Sequence, residues 1–394
     1  MPLSRRTFLL APTVLMPTPA WARRSPCRPA RRRRSSSRPP SQPLWEGAPY
    51  TYGDKAEAIR RGLDFVYKTA KDEKSFAEYG SDYLWCFYTI AATASDPDLR
   101  AHAGKMARER AREWRRIHPR VPDNADVEDI ADLVFGALAA DALGPRNEHM
   151  KRDLTAAAQK FTPRDFLHFD PATEPIPTDV PEACSWCADN NASGTSVRCR
   201  KCMSEPGPKM DRYDVLTDAV IATYTGERYG VLLGGRLADV LQWVPLMRPY
   251  PKFEQATREQ YESVAYAVTH IVYGLNDYTF SRLKPAWLPE EYEFLLEHLK
   301  QNIAANDAET MGEFLDTLKS FGLTTDHPLI RTGTEFLLSM QNADGSWGDT
   351  TDKDIYKRYH PTWTSVNGLM DYAFPKGEGA SFPAALRAVQ GKAG

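Results

Sequence analysis

The sequence is poor in the features that mark membrane proteins and β-sheet proteins. Among its 394 residues, the apolar stretch at residues 8–20 is too short to cross a bilayer and is broken by prolines, and no later run is long enough. No two neighbouring segments alternate convincingly between polar and apolar residues, as paired β-strands would. These absences exclude a stable membrane span and favour an all-α protein.

The N-terminus has the three parts of an export signal in the right order. Residues 4–10 (SRRTFLL) contain the pair Arg5–Arg6 and match the twin-arginine signature, and the apolar stretch follows. Ala20 and Ala22 then form a small-x-small cleavage site. The sequence therefore predicts a signal peptide over residues 1–22. It predicts export of the folded chain by the bacterial twin-arginine machinery, to the periplasm or outside the cell.

Residues 23–45 are rich in Arg, Pro and Ser and have almost nothing to bury, so we expect a disordered tether. It is either a simple spacer or a basic arm for an anionic surface. Residues 1–40 hold ten arginines and no acid, so leaving them out changes the net charge from −2 to −12. An acidic body of this kind argues against binding to nucleic acid.

The rest of the chain, residues 46–394, reads as one predominantly helical domain. Apolar residues recur there at spacings of three and four, which is the period of an amphipathic helix. The segments that follow this pattern are 54–70, 81–94, 98–118, 126–143, 146–160, 213–225, 261–276, 290–304, 307–321, 327–341, 360–373 and 383–389.

A glycine-rich turn near the C-terminus is the most specific local pattern. Residues 341–349 read QNADGSWGD and are followed by YHPTWTSVNGL at residues 359–369. Gly345 and Gly348 can adopt backbone angles that other residues avoid. Trp347 is large enough to cap a helix pair and can donate its N–H. We expect Pro361 in the first turn of the helix that His360 begins.

Over the last third of the chain, this turn resembles the repeat of the squalene–hopene cyclase and protein-prenyltransferase superfamily. The resemblance implies an α/α toroid, in which an inner ring of helices is paired with an outer ring. Residues 261–278, rich in small and aromatic side chains, suit an inner helix. An open α-solenoid is the alternative, and the two differ in whether the helix pairs close.

The catalytic motifs of those families are missing. Tyr359 and His360, followed by Asn-Gly-Leu, resemble a segment of prenyltransferase β subunits in which the histidine is a zinc ligand. That family also needs an Asp-x-Cys pair, and no cysteine follows Cys202. The Asp-x-Asp-Asp motif of the cyclases and the Asp-Asp-x-x-Asp motif for magnesium diphosphate are absent too. The resemblance therefore implies a fold and not an activity.

Residues 161–210 form a loop insertion with two Cys-x-x-Cys pairs. Two such knuckles can place four thiolates around one ion, which suits a closed structural zinc site or a rubredoxin-like iron. Two disulfides are the alternative in an oxidising compartment. Cys86 lies in an apolar helix, where we expect it to be buried. The predicted metal ligands are Cys184, Cys187, Cys199 and Cys202.

Two histidines, His270 and His360, lie on segments that suit the inner ring. Asp218 and Glu313 each belong to a different pair of carboxylates spaced i, i+4 on one helix. Together with these two carboxylates, the histidines would form a second, mixed metal site. Without a metal, His270, Tyr273 and Asn276 would supply the base, the acid and the amide for β-elimination of a uronic acid. That second reading is an analogy at the level of the fold.

Three functions stay open at this stage. The leading prediction is an exported, metal-dependent enzyme with His270, Tyr273 and His360 in a central pocket, acting on an apolar or peptide-like substrate. The alternatives are a polysaccharide lyase or hydrolase and a secreted binding scaffold without activity. An aromatic-lined hole with convergent His and carboxylates favours the metal enzyme. Exposed aromatics and Arg along a groove favour a glycan enzyme, and a filled centre favours the scaffold.

Overall fold

The computed structural model describes residues 52–178, 180–181 and 209–391. The regular secondary structure of these residues is almost entirely helical, which confirms the all-α prediction. The exception is one short antiparallel ladder, in which Val180–Pro181 pairs with Lys209–Met210. The α-helices are α1 (Tyr52–Thr69), α2 (Glu73–Thr93), α3 (Pro97–Ile117), α4 (Val127–Ala142), α5 (Glu148–Ala158), α6 (Pro163–Leu167), α7 (Arg212–Tyr229), α8 (Leu237–Leu241), α9 (Arg258–Asn276), α10 (Pro289–Ala305), α11 (Ala308–Ser320), α12 (Pro328–Met340), α13 (Tyr356–Leu369) and α14 (Pro383–Val389).

None of the described helices combines the length and the apolar character that a membrane span needs. Several predictions fall outside the described residues: the signal peptide (1–22), the basic tether (23–45) and the four cysteines of the metal cluster. They stay predictions. Cys86, in contrast, lies inside α2 with 1% of its surface exposed, so its predicted burial is confirmed.

Polar side chains fix where the main helices begin. Asp126, Asp211, Thr257 and Asp307 precede α4, α7, α9 and α11, and each accepts a hydrogen bond from a backbone N–H of the first turn. Such caps satisfy donors that have no partner within the helix. At the other end of α9, Asp277 takes a left-handed conformation (φ 59°) and stops the helix.

The prediction that His360 begins a helix was wrong by one turn. The backbone N–H of Tyr356 donates to the Asp354 carboxylate at 3.0 Å, and α13 starts there. Pro361 is therefore inside the helix, not in its first turn, and it cannot bond the carbonyl of Lys357. Gly348 passes close to that carbonyl, because a Cβ on Gly348 would lie 2.4 Å from its oxygen.

Six helices contact one another in chain order. Helix α2 packs on α4, α4 on α7, α7 on α9, α9 on α11 and α11 on α13. The series then returns to its start, because Tyr359 of α13 donates to Asp82 of α2 at 2.7 Å. The remaining long helices each pack against two members of the series: α3 on α2 and α4, α10 on α9 and α11, α12 on α11 and α13, and α1 on α13 and α2.

The closest of these helix contacts runs between two glycines. A Cβ on Gly312 of α11 would lie 2.3 Å from the carbonyl oxygen of Thr364, and a Cβ on Gly368 of α13 would lie 2.7 Å from Gly312 Cα. No side chain fits between the two backbones at this point. The glycines therefore set the separation of α11 and α13, which carry several of the site residues described below.

The glycine-rich turn joins α12 to α13 and packs on α1. Gly345 and Gly348 have φ angles of 89° and 92°, which glycine adopts without strain. Trp347 is fully buried; its ring N–H donates to Leu337 at 2.8 Å, and its backbone N–H donates to Thr362 at 2.9 Å. The turn thus connects three helices through one tryptophan, whose indole N–H is used as the sequence indicated.

Candidate active site

Helix α13 has one face that is less buried than the rest. Between Tyr359 and Met370, only His360, Trp363 and Asn367 are half-buried, and every other residue is buried. Spacings of three and four place these three side chains on a single face. Two of their polar atoms, Trp363 Nε1 and Asn367 Oδ1, have no hydrogen-bond partner among the described residues.

A similar pattern occurs on α9, whereas on α11 Glu309 is the half-buried member of an acidic face whose other residues are buried. On α9, Tyr266 is half-buried, and His270 and Tyr273 keep 9% and 6% of their surface exposed, whereas the residues between them are almost fully buried. On α11, the face holds Glu309, Glu313 and Asp316 at the same spacing. We call these faces, together with that of α13, the inner faces.

Hydrogen bonds join the three inner faces and connect the two predicted histidines. Nδ1 of His360 lies 2.9 Å from Oε1 of Glu309. The hydroxyl of Tyr266 donates to the same oxygen, and the rings of Tyr266 and His270 stack with centroids 5.8 Å apart. His270 Nδ1 lies 2.8 Å from the carbonyl of Tyr266. The histidines are thus linked through Tyr266 and Glu309.

His360 and Glu309 form an ion pair. Burial alone would lower the pKa of His360, but the charge and hydrogen bond of Glu309, with Glu313 and Asp82 nearby, outweigh burial and raise the pKa. The side chains of His360 and Glu309 keep 14% and 23% of their surface exposed. The raised pKa favours the imidazolium form of His360 beside Glu309, and both side chains keep some exposed surface.

Glu313, in contrast, is held in its neutral, protonated form. Its Oε2 accepts from the hydroxyl of Thr269 at 2.6 Å, and the residue is 3% exposed. Burial raises the pKa of Glu313 to about 8, against the opposing effects of the Thr269 hydrogen bond and of His360. Glu313 is therefore mostly protonated at pH 7, one helical turn from Glu309, which pairs with His360.

Helices α2 and α4 add two carboxyl groups that sequence analysis missed. Asp82 bonds the Tyr359 hydroxyl and lies close enough to interact with His360, and burial raises its pKa to about 6. Asp132 accepts from Ser81 at 3.1 Å; burial and the charge of Asp82 raise its pKa to about 7. We refer to Asp82, Asp132, Glu309, Glu313 and His360 as the acid layer.

Aromatic side chains lie one turn after the acid layer on α2 and α4, and also on α7 and α9. The Trp85 ring is 5.1 Å from Phe135 and 5.4 Å from Tyr278, and Tyr278 is 5.0 Å from both Tyr224 and Tyr273. These rings come from α2, α4, α7 and α9 and from the residues just after α9. We refer to Trp85, Phe135, Tyr224, Tyr273 and Tyr278 as the aromatic layer.

Asp316 is a second carboxyl group on α11 with a raised pKa, and by position it belongs to the aromatic layer. Burial raises its pKa to about 7, while hydrogen bonds from Tyr372 and Tyr273 and the charge of Lys319 oppose the shift. Its Oδ1 has no hydrogen-bond partner. Sequence reasoning missed Asp316, although one available signal was a lone carboxylate in the apolar run of residues 314–318.

The cations nearest the two layers are already engaged. Nζ of Lys319 donates to the carbonyls of Gly368 and Met370 at 2.6 and 2.7 Å. Arg228 and Lys376 each lie 2.6 Å from the buried carboxylate of Asp277. Lys319 lies three residues after Asp316 on α11 and interacts with its carboxyl, whereas the acid layer itself contains no Lys or Arg.

Other predicted residues are not brought into this network. Asp218 is half-buried on α7, and the described bonds of His270, His360 and Glu313 go to other residues. Across the described residues, no group of three or more His, Cys, Asp or Glu side chains is placed to hold a metal ion. The second metal site with His270, His360, Asp218 and Glu313 stays a prediction.

A cavity of about 830 Å³ opens beside the acid layer, between the start of α2 and the start of α13. Ser75, Tyr79, Ile355 and Arg358 are among its lining residues. The Tyr79 ring lies 5.2 Å from the ring of Tyr359, the residue that bonds Asp82. One layer of tyrosines thus separates this cavity from the acid layer.

No protein-family model, curated protein or solved structure matches this chain.

Proposed function

We propose that the six helices in series close an α/α toroid, and that the chain is a glycoside hydrolase whose active site is the acid layer at the centre of the ring. Two features support the closure: the return contact of α13 on α2 and the placement of each outer helix against two members of the series. Tyr266, Glu309 and His360 keep part of their surface exposed, which supports an accessible site over the binding scaffold.

The position of a protonated Glu313 one helical turn from Glu309, which is paired with His360, carries the proposed activity. Hydrolysis of a glycosidic bond needs one carboxylic acid to protonate the departing oxygen and one carboxylate to activate water or attack the sugar. Burial that raises one pKa while a neighbouring carboxylate stays ionised is the usual way of separating these roles. Glu313 is assigned as the acid. Glu309, oriented by His360 and Tyr266, is assigned as the carboxylate.

A hydrolase fits these residues better than the uronate lyase. The lyase needs Asn276 to neutralise a substrate carboxylate, but Asn276 is fully buried, its amide donates to Ser320 at 2.8 Å, and its oxygen accepts from Thr279 at 3.0 Å. A uronate would also meet the acidic side chains of the acid layer without a free cation. The aromatic layer, in contrast, offers ring faces against which neutral sugar rings can pack.

The metal-dependent enzyme of the leading prediction remains the second candidate, because His360 and Glu309 meet at 2.9 Å from two helices. Zinc, iron and manganese accept such mixed nitrogen and oxygen ligands. A metal there would use residues that the hydrolase uses as acid and base, so counting metals separates the two proposals.

Hydrolysis of a panel of soluble glycans tests the activity. We expect the full chain to release reducing ends from at least one, and Glu313→Gln to lower kcat by about 100-fold or more, as loss of a general acid does. The rate of the unchanged enzyme should fall above about pH 8, where Glu313 ionises.

The matched control is Glu290→Gln, since Glu290 is an exposed glutamate at the start of α10. It should keep the full rate. Full activity in Glu313→Gln, or the absence of hydrolysis on every glycan, would contradict the proposal.

The proposal also covers export and the cysteine cluster. The chain is a substrate of the twin-arginine machinery and is cleaved before Arg23. Its Cys184, Cys187, Cys199 and Cys202 hold one structural zinc. Folded export lets zinc bind in the reducing cytoplasm. We expect native mass spectrometry of the exported protein to show a chain starting near Arg23 with one zinc. A second metal per chain would support the metal-dependent enzyme. Cys184→Ser with Cys199→Ser should lose the cysteine-bound zinc, and a metal-free mass four hydrogens below the reduced value would show disulfides instead.

A further inference from the structure

The turn that follows α9 has an unusual backbone. Asp277, Tyr278 and Thr279 have φ angles of 59°, 48° and 69°, so three successive residues other than glycine lie in the left-handed region. Such residues normally occur singly, and for a β-branched side chain such as that of Thr279 the conformation is an outlier. Backbone strain of this kind persists only where the surrounding structure enforces it, and it clusters at binding and catalytic sites.

Polar contacts on both sides of the turn enforce this conformation. The buried carboxylate of Asp277 accepts from Arg228 and from Lys376, each at 2.6 Å. The backbone N–H of Thr279 donates to the amide oxygen of Asn276 at 3.0 Å. These contacts fix the middle residue of the turn, whose side chain belongs to the aromatic layer.

That middle residue, Tyr278, has a hydroxyl without a partner. Its half-buried ring packs against three others of the aromatic layer, with centroids 5.0 to 5.4 Å apart. The other two tyrosines of that layer use their hydroxyls within the protein. Tyr224 donates to Asp277 at 2.7 Å, and Tyr273 bonds Asp316. The hydroxyl of Tyr278, in contrast, makes no hydrogen bond to any described residue.

The side chain of Tyr278 also connects the aromatic layer to the acid layer. Its ring contacts Trp85, which lies one helical turn after Asp82. Burial raises the pKa of Tyr278, and the charges of Glu313, Asp82 and Asp316 raise it further, so these carboxyl groups lie within interaction range of the hydroxyl. The hydroxyl therefore keeps its proton and can donate it in a hydrogen bond beside the residues assigned to catalysis.

We propose that Tyr278 is a substrate-binding residue, and that its hydroxyl donates a hydrogen bond to an oxygen of the sugar unit whose glycosidic bond Glu313 protonates. This inference rests on the proposed function and adds a residue to its site. A neutral sugar offers hydroxyl and ring oxygens as the acceptor that the described residues do not supply. Because the turn holds the ring in place before the substrate arrives, little conformational freedom is lost on binding.

Tyr278→Phe tests the hydroxyl alone, because the ring and its packing are kept. The probes are four neutral tetrasaccharides: cellotetraose, mannotetraose, xylotetraose and maltotetraose. We expect kcat/KM to fall at least about tenfold on each one that the unchanged enzyme cleaves, as loss of a hydrogen bond to the substrate does. The midpoint of urea denaturation should not change. In Glu313→Gln, where turnover is prevented, adding Tyr278→Phe should raise the calorimetric Kd at least about fivefold.

The matched control is Tyr292→Phe. Tyr292 lies on α10, is also half-buried, and packs against one ring, that of Phe321, at 5.2 Å. Its hydroxyl, like that of Tyr278, has no hydrogen-bond partner in the part of the chain that the structure describes. Tyr292→Phe should keep the full rate and the full affinity.

Full activity of Tyr278→Phe on a tetrasaccharide that is cleaved overturns this inference and leaves the hydrolase standing. An equal loss in Tyr292→Phe, or a lower denaturation midpoint in Tyr278→Phe, shows an effect on the fold and overturns it too. Binding without cleavage, weakened by Tyr278→Phe, removes the hydrolase and leaves Tyr278 as a binding residue. Binding without cleavage that Tyr278→Phe does not weaken, or neither binding nor cleavage of any of the four, removes both.

Discussion

Gly312→Ala should destabilise the protein by on the order of 3 kcal/mol, near the top of the range for overpacked sites. The added methyl would lie 2.3 Å from the carbonyl oxygen of Thr364, and backbone atoms cannot turn aside as a side chain can. Helices α11 and α13 would have to move apart, which would lengthen the contact between Glu309 and His360. We expect a lower midpoint in urea denaturation and reduced activity in the fraction that folds.

Gly80→Ala is the matched control, since Gly80 is also a buried glycine inside a helix of the series. An added methyl there would meet only the Phe76 ring at 3.6 Å, an ordinary contact. Alanine favours the helix over glycine by about 1 kcal/mol, so Gly80→Ala should be neutral or stabilising. Similar losses in both variants would show that the α11–α13 contact is not specially tight.

The free energy of unfolding should fall as the pH rises from 5 to 8, and Glu313→Gln should remove much of the fall. Burial raises the pKa of Glu313 from its ordinary 4.5 to about 8. Between these values the unfolded chain releases the proton and the folded chain keeps it, so each pH unit costs about 1.4 kcal/mol of stability. The cost is absent below the unfolded pKa and complete above about pH 8, where it reaches on the order of 5 kcal/mol.

Denaturant titrations at pH 5, 7 and 8.5 measure this effect. At pH 8.5 Glu313→Gln should be clearly more stable than the unchanged protein, and at pH 4.5 the two should be similar. Asp82, Asp132 and Asp316 shift in the same direction and should leave a residual slope in the variant. Glu290→Gln should leave the slope unchanged. A stability that rises from pH 5 to 8 would show that Glu313 is ionised in the folded protein.

Local patterns predicted the helices and the glycine-rich turn well, because their causes lie within a few residues. Apolar spacing located α9 and α11 closely, and Gly345 and Trp347 behave as their residue types suggest. The start of α2 was placed at Ser81, whereas the helix begins at Glu73, where Asp72 caps Ser75 before a kink at Tyr79. The first turn after this aspartate is charged and has few apolar residues. Because it lacks the apolar spacing typical of a helix, the segment was interpreted as a loop.

The site was only partly predictable, because its contacts are between helices distant in sequence. Spacing places Glu309 and Glu313 on one face but cannot tell that His360, 51 residues after Glu309, lies opposite. Asp82 was missed because it lies in an apolar run that is typical of a buried core. Its place in the site depends on contacts with Tyr359 and His360, which lie far away in the sequence. His270 stood out within its own helix, and its neighbour Tyr266, which reaches Glu309, did not.

The contacts that bring α13 back to the first helices impose an order on synthesis. Lys55 bonds Asp371 at 2.5 Å across 316 positions of the chain, and Asp82 bonds Tyr359 across 277. The partners of α1 and α2 therefore leave the ribosome last, and contacts of such long range form slowly. Until then Lys55 and Asp82 lack the partners that they have in the folded protein. A polypeptide that ends before residue 371 cannot form the contact between Lys55 and Asp371.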